Sequence, residues 1–257
     1  MQMLLTIDIG NTNITLGVYE GKTLKMLARM ATEHHRTADQ YAVELRDILD
    51  INGLPFNLVD GAIISSVVPH VGAVIKEAVE KLCGVSVLVL GPGVKTGLNI
   101  KIDNPAQLGA DLAAGAVAAL AICKPPCIVV DLGTATTISV LDKQGVFLGG
   151  AIAAGIGITL EALATRTAQL PAIHLEAPGK VIGSNTVDCM QSGLVIGAAA
   201  MVDGMIDRIN EELGEEAAVI ATGGLAREVV AVCRREIRLE ENLLLEGLRL
   251  IYEKNKR

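Results

Sequence analysis

Two stretches half a chain apart share one pattern, and that repeat limits the possible folds more than any other feature. Leu4-Leu5-Thr6-Ile7-Asp8-Ile9-Gly10-Asn11-Thr12-Asn13 opens the chain, and Ile128-Val129-Val130-Asp131-Leu132-Gly133-Thr134-Ala135-Thr136-Thr137 recurs near its midpoint. Each is an apolar strand, then Asp-x-Gly, then small hydroxyl or amide residues, then a second apolar run. The second runs end in turns at Glu20-Gly21-Lys22 and at Asp142-Lys143-Gln144-Gly145. Such a repeat points to a duplicated α/β unit. Its boundary is expected near residues 120 to 126, where Lys124-Pro125-Pro126 interrupts the pattern.

The remaining segments alternate between strand and helix signals. Gly61 to Val68 and Val85 to Leu90 have strand length, while Val71, Val74, Ile75, Ala78, Val79 and Leu82 between them repeat with helical spacing. Thr37 and Gln40 form a capping box for a helix that aligns Tyr41, Leu45, Ile48 and Leu49. Asn104 and Pro105 read as cap and first residue of another helix, which would contain Asp111. A long helix is expected from about Thr186 towards Leu213, with Leu194, Ala198, Met201, Val202, Met205 and Ile209 on its apolar stripe. Ala218 to Thr222 reads as a last buried strand, followed by Gly223-Gly224 and a helix. Strands with covering helices in two similar halves are the expected architecture.

Composition narrows the function classes. Of 257 residues, 51% are hydrophobic and only 2% aromatic, so aliphatic side chains must build the core. The net charge is −7 with no basic stripe, which disfavours nucleic acid. Asp8 precedes any basic residue, and the longest uncharged stretch, Gln144 to Leu160, carries five glycines. The expectation is therefore a cytoplasmic chain with no signal peptide and no membrane span. Five cysteines lack framework spacing, and Cys123 and Cys127 have no second ligand pair nearby, so buried free thiols are expected rather than zinc.

The Asp-x-Gly turns carry the chemistry. A glycine two residues after a strand-terminal Asp lets the backbone approach a phosphate without a Cβ clash. Asn11, Thr12 and Asn13 in one turn, and Thr134, Thr136 and Thr137 in the other, can donate to phosphate oxygens beside Gly10 and Gly133. Asp8 and Asp131 would hold magnesium through waters, because this ion dehydrates reluctantly. Rival phosphate motifs fail: Lys95-Thr96 lacks the P-loop glycine before it, and Gly150 to Gly157 has Ile156 where lysine is required. Thr222-Gly223-Gly224 after a strand can admit a flat adenosine against bare backbone, although a plain strand-to-helix turn has the same sequence.

These motifs together resemble the phosphate and adenosine motifs of the acetate and sugar kinase, Hsp70 and actin superfamily. More narrowly, the chain resembles type III pantothenate kinase over nearly its whole length. The matching blocks include Asp8 to Asn13, Arg36 to Asp39, Ser65 to Pro69, Gly91 to Gly97, Asp103-Asn104-Pro105, Gly109-Ala110-Asp111, Asp131 to Thr137, Gly149 to Ile152, Asn185-Thr186-Val187, Met190 to Gly193 and Gly247 to Tyr252. The resemblance implies a duplicated actin-like (ribonuclease H-like) ATPase fold, two α/β halves with the active site in the cleft between them. Residues 1–122 would carry the first phosphate loop and the acceptor-site helix. Residues 123–257 would carry the second phosphate loop, the adenosine turn and the dimer helix. It further implies a homodimer that phosphorylates pantothenate with ATP, a divalent ion such as Mg2+, and a monovalent cation, K+ or NH4+. Asp111 would be the general base, Asp131 would lie near the monovalent cation, and Thr186 would reach the partner subunit's substrate. The acceptor site would comprise Ile102, Gly109, Ala110, Asp111, Leu112 and Thr186. Three positions depart from the family pattern. Leu112 stands where the family usually has an arginine for the pantothenate carboxylate, Ile102 where it often has tyrosine, and Ala154 where it has proline. Those departures leave open a nucleotide-binding regulator with a degenerate acceptor site, or a kinase of another small acceptor.

Overall fold

The computed structural model describes residues 3–256. The apolar runs around the first Asp-x-Gly pair as an antiparallel hairpin of β1 (Met3–Ile9) and β2 (Asn13–Glu20). Strand β3 (Thr23–Ala31) continues the meander, while β4 (Val59–Ser66) and β5 (Val87–Val89) add in parallel on the other side, giving the order β3-β2-β1-β4-β5. Parallel additions need crossovers, and α1 (Ala38–Ile51) and α2 (Pro69–Cys83) lie in them. The Thr37–Gln40 capping box forms, with the Thr37 N–H donating to Gln40 Oε1 at 2.9 Å. Ile7, Ile9, Ile14, Leu16 and Ile64 pack with Tyr41, Leu45 and Leu49 of α1 and Ile75 of α2. Each such Leu or Ile contributes about 1.5–3 kcal/mol on leaving water.

After β6 (Asn99–Ile100) and α3 (Ala110–Ile122), the same design repeats. Strands β7 (Cys127–Leu132), β8 (Ala135–Leu141) and β9 (Val146–Ala154) form a meander, and β10 (Ala218–Thr222) and β11 (Arg238–Leu239) add in parallel. The sheet order is β11-β10-β7-β8-β9-β6. With β6 set aside, β9-β8-β7-β10-β11 repeats the first sheet strand for strand, including every parallel and antiparallel pairing. The repeated sequence motif has folded twice into one topology.

The chain divides into two compact units, one running to Gly97 with Asn104–Ala118 and everything from Leu243, the other Leu98–Asp103 with Ala119–Asn242. A single cut between residues 122 and 123 does not reproduce this division: helix α8 (Leu243–Asn255) belongs with the first unit, and Leu98–Asp103, with β6, and Ala119–Ile122 belong with the second. Two glycines let α8 dock there: Gly61 leaves room for Tyr252, and Gly247 lies against the backbone of Ala114. Arg249 of α8 is only 3% exposed. It donates to Glu246 at 2.9 Å, pairs with Glu253, and lies 5.8 Å from the centre of the Tyr19 ring. Paired in this way, a buried guanidinium is tolerated where an isolated one would not be.

Three expectations are corrected. Asn104 and Pro105 open only a single 3-10 turn, Pro105–Gln107, because Leu108 is extended; α3 starts afresh at Ala110, which puts Asp111 in its first turn. The long helix is α5 (Thr186–Gln191), a π-turn at Ser192–Ile196, and α6 (Gly197–Leu213). Because a π-turn uses an extra residue, the most deeply buried stripe is Val195, Ala199, Val202 and Ile206, while Ala198, Met201, Met205 and Ile209 flank it half-buried. Thr186–Leu213 has the length and hydropathy of a membrane span, but Ala199, Val202 and Ile206 lie in the core of the second unit. Cys189 is exposed rather than buried, whereas burial pushes the Cys83 thiol up to about 11 and those of Cys127 and Cys233 up to about 12.

Candidate active site

In the first unit, Asp8 is half-buried near the end of β1, opposite Thr15 of β2 and Ser65 of β4. Ile9 pairs with Ile14, so four residues, Gly10 to Asn13, turn the chain. The Gly10 N–H donates to the Asn13 carbonyl at 3.0 Å. A Cβ on Gly10 would crowd that oxygen at 3.1 Å, which is why glycine suits this corner. Asn11, Thr12 and Asn13 are all exposed. The loop is tied from the side by Thr32, the first residue past β3. Its hydroxyl donates to the Gly10 carbonyl at 2.8 Å, and its N–H to the Thr12 carbonyl at 3.0 Å.

The second unit holds the counterpart. Asp131 is half-buried and pairs with Thr137 of β8 and Thr222 of β10. Leu132 pairs with Thr136, so only three residues, Gly133 to Ala135, make the turn, closed by the Gly133 N–H donating to the Ala135 carbonyl at 3.1 Å. Thr134 is exposed, Thr137 is half-buried, and Thr136 is inside. Gly223 packs on this turn with φ +104°; a Cβ there would stand 2.6 Å from Asp131 Oδ1 and from the Leu132 backbone. The chain then re-enters the loop through the Leu225 N–H, which donates to the Leu132 carbonyl at 3.2 Å, leaving Gly224 at the bend. Asp131, Gly133, Thr134, Gly223 and Gly224 are thus drawn to one end of one sheet. Gly155, the first residue past β9, lies against the same loop: a Cβ there would clash with the Thr134 carbonyl and reach 2.5 Å from that of Gly133.

Asp111 lies half-buried at the start of α3, with Gly109, Ala110 and Leu112 around it, all half-buried. The Leu112 N–H donates to Asp111 Oδ1 at 2.8 Å. Burial disfavours the charged carboxylate and raises its pKa above the usual range, with backbone donors opposing. A carboxyl tuned upward suits a proton acceptor better than a solvated surface Asp does. Ile102 belongs to the other unit, where it packs beside Gly149.

Thr186 opens α5, whose N-cap Asn185 accepts from the Asp188 N–H at 3.0 Å. It lines a cavity of about 630 Å³ in the second unit, with Thr159, Leu163, Asn185, Cys189 and Met190 among its walls; no residue of the second loop lines it. Thr32 and Gly155 were not singled out from sequence, whereas Thr136, expected to donate to phosphate oxygens, is instead turned inside. Ser65 and Thr136 are 0% and 1% exposed, and neither hydroxyl has a hydrogen-bond partner among the described residues. Superimposing the two repeats past their first two strands would have flagged Thr32 and Gly155.

No cluster of three or more His, Cys, Asp or Glu side chains occurs among the described residues. Mg2+ does not need one, because it is commonly held by one or two carboxylates, waters and substrate phosphates. Asp8, a half-buried carboxylate beside exposed amide and hydroxyl donors, fits that mode. Asp131 offers the oxygen donors that a monovalent cation takes.

Comparison with known proteins agrees with this geometry. The family model described as type III pantothenate kinase matches residues 4–208. A relative named type III pantothenate kinase from Moorella thermoacetica is 45% identical over 253 residues, covering 98% of this chain and all of the relative. Component A of the (R)-2-hydroxyglutaryl-CoA dehydratase of Acidaminococcus fermentans superimposes with a TM-score of 0.62 at 16% identity, covering 100% of both chains. The ROK hexokinase of Thermus thermophilus does so with a TM-score of 0.53 at 16% identity, covering 99% of each. These structures share the fold, a duplicated actin-like architecture with two sheets. The chain belongs to the type III pantothenate kinase family.

Proposed function

We propose that this chain transfers the γ-phosphate of ATP to the hydroxyl of pantothenate, giving 4'-phosphopantothenate in the first step of coenzyme A synthesis. The observation that carries the reading is the twofold occurrence of one sheet topology, each copy ending in an Asp-x-Gly loop. In a family of pantothenate kinases, two such loops are the parts needed to grip a polyphosphate. In this reading Gly10, Asn11, Thr12 and Asn13 of the first loop and Gly133, Thr134 and Thr137 of the second bind phosphate oxygens, and Gly223 and Gly224 leave bare backbone for the adenosine; Thr136, at 1% exposed, shapes the second loop from inside. Asp8 would hold Mg2+ through waters, and Asp131 would hold K+ or NH4+; the divalent ion, when bound, neutralises charge on the phosphate oxygens. Asp111 accepts the proton of the pantothenate hydroxyl as its oxygen bonds to the γ-phosphorus and ADP departs. Positioning and electrostatics supply most of the acceleration.

The working form in this reading is a cytoplasmic homodimer. Exposed apolar side chains in the second unit support a second copy as partner: Ile152 is 76% exposed, Val181 68% and Ile182 86%. Thr186, near this surface in sequence, would complete the partner's acceptor site. Mass spectrometry of a mixture of ATP, Mg2+, NH4+ and pantothenate tests the reading. Pantothenate gaining one phosphoryl group is the expected result. ATP binding with no phosphorylated pantothenate would instead favour the regulator reading that Leu112 and Ile102 suggest.

A further inference from the structure

The duplication makes it possible to ask what stands at the same place in each half. Asn13 pairs with Ala31 at the end of β3, and Ala135 pairs with Ala154 at the end of β9. The next residues, Thr32 and Gly155, are therefore structural equivalents. So are Gly10 and Gly133, each two residues after the strand-terminal Asp. Thr32 reaches the carbonyl of Gly10 with its hydroxyl at 2.8 Å, whereas Gly155 lies with its bare Cα against the carbonyls of Gly133 and Thr134. Both contacts fall on the loop backbone.

We propose that Thr32 and Gly155 are a symmetry-related pair of positioning residues that hold the two phosphate loops in their ATP-binding shape. They do so by opposite means. In the first half, where the loop is four residues long, a side-chain donor anchors its glycine carbonyl and the Thr32 N–H anchors the Thr12 carbonyl. In the second half, the three-residue loop lies so close to the end of β9 that no side chain fits between them. Neither residue touches ATP in this arrangement. The effect is to fix the carbonyls of Gly10 and Thr12, and of Gly133 and Thr134, and with them the course of each loop's backbone. The proposal rests on the reading that these loops bind the phosphates of ATP.

The test is calorimetric titration of the full chain with Mg2+–ATP, together with steady-state kinetics, for Thr32→Val, Thr32→Ser and Asp8→Asn. Valine keeps the branched shape and removes only the hydroxyl. Thr32→Val is expected to raise both Kd and KM for ATP by about three- to tenfold, leaving KM for pantothenate and the melting temperature unchanged. Thr32→Ser restores wild-type ATP affinity. If Thr32→Val binds ATP like the wild type while Asp8→Asn does not, Thr32 merely ends a strand and the proposal is overturned. If Asp8→Asn also binds normally, the phosphate-loop reading itself fails. A defect in Thr32→Val that serine does not rescue assigns the residue to stability and likewise overturns the proposal. Gly155→Ala, checked for folding by circular dichroism, is expected to weaken ATP binding more than Thr32→Val does; normal binding there would remove Gly155 from the pair.

Discussion

The two Asp-x-Gly loops began as one design and now differ in what they display. The first is a four-residue turn that presents three exposed amide or hydroxyl side chains, with serines at the end of the neighbouring strand β4. The second is a three-residue turn whose surroundings have been stripped to backbone, with Gly155 on one flank and Gly223 on the other. Topology alone does not set these roles, because the sheets match strand for strand. Under the proposed function, side chains would meet charge at the first loop and bare backbone would admit a flat group at the second.

The largest break in this comparison should come from neither loop. Asp111→Asn is expected to lower kcat by about 10²- to 10⁴-fold while calorimetry finds ATP binding intact; undiminished turnover would falsify its role as base. The same variant has a stability signature. Because burial raises the folded-state pKa of Asp111, the folded protein holds the proton more tightly than the unfolded chain. That contribution to stability is present below the unfolded pKa and is lost as pH rises through the folded one. Asp111→Asn should therefore melt higher than wild type at neutral pH, and the gap should close in acid. The activity of the wild type should lose its acid limb at a higher pH than an ordinary carboxylate gives.

Next in size is Gly223→Ala. Its Cβ would meet Asp131 and Leu132 at 2.6 Å from a backbone with φ +104°, so a cost of about 1–3 kcal/mol in chemical denaturation is expected. ATP affinity should fall with it, whereas alanine at Gly21, where φ is +59° but nothing lies within 4 Å, should leave ATP affinity alone. Leu112→Arg sharpens the comparison from the acceptor side. A new hydrogen bond to a carboxylate is worth about 1.5–3 kcal/mol, so KM for pantothenate should drop roughly 10- to 150-fold with KM for ATP unchanged. An unaltered KM would place the pantothenate carboxylate elsewhere. Smallest is Thr37→Ala, which removes the capping box of α1 and should lower stability by about 1 kcal/mol without touching either KM.

Much of this was legible in the sequence because its signals are local. Asp-x-Gly after an apolar run gave both hairpins, and Thr37-x-x-Gln40 gave the start of α1. Non-local packing was not legible. Nothing near Leu243 says that α8 returns to the first sheet, since Gly61 and Gly247 acquire meaning only from Tyr252 and Ala114 across space. The π-turn at Ser192–Ile196 shifts a helical stripe that periodicity alone would run straight through. Asn104-Pro105 looks like a helix start, but two residues, Leu108 and Gly109, separate its short turn from α3. In the candidate site, the strand-end carboxylates and glycines could be read directly. Thr32 and Gly155 could not, because their partners lie some twenty residues away in sequence and are brought together only by strand pairing.

The measurement that bears most directly on the account is pantothenate-dependent ADP release, with ATP, Mg2+ and NH4+, in the wild type, Asp8→Asn and Asp131→Asn. If both loops serve the phosphotransfer, the wild type saturates with pantothenate and each single substitution lowers turnover by about 10²-fold or more. Wild-type turnover retained in either variant would mean that one loop suffices, and a wild type indifferent to pantothenate would contradict the phosphotransfer itself.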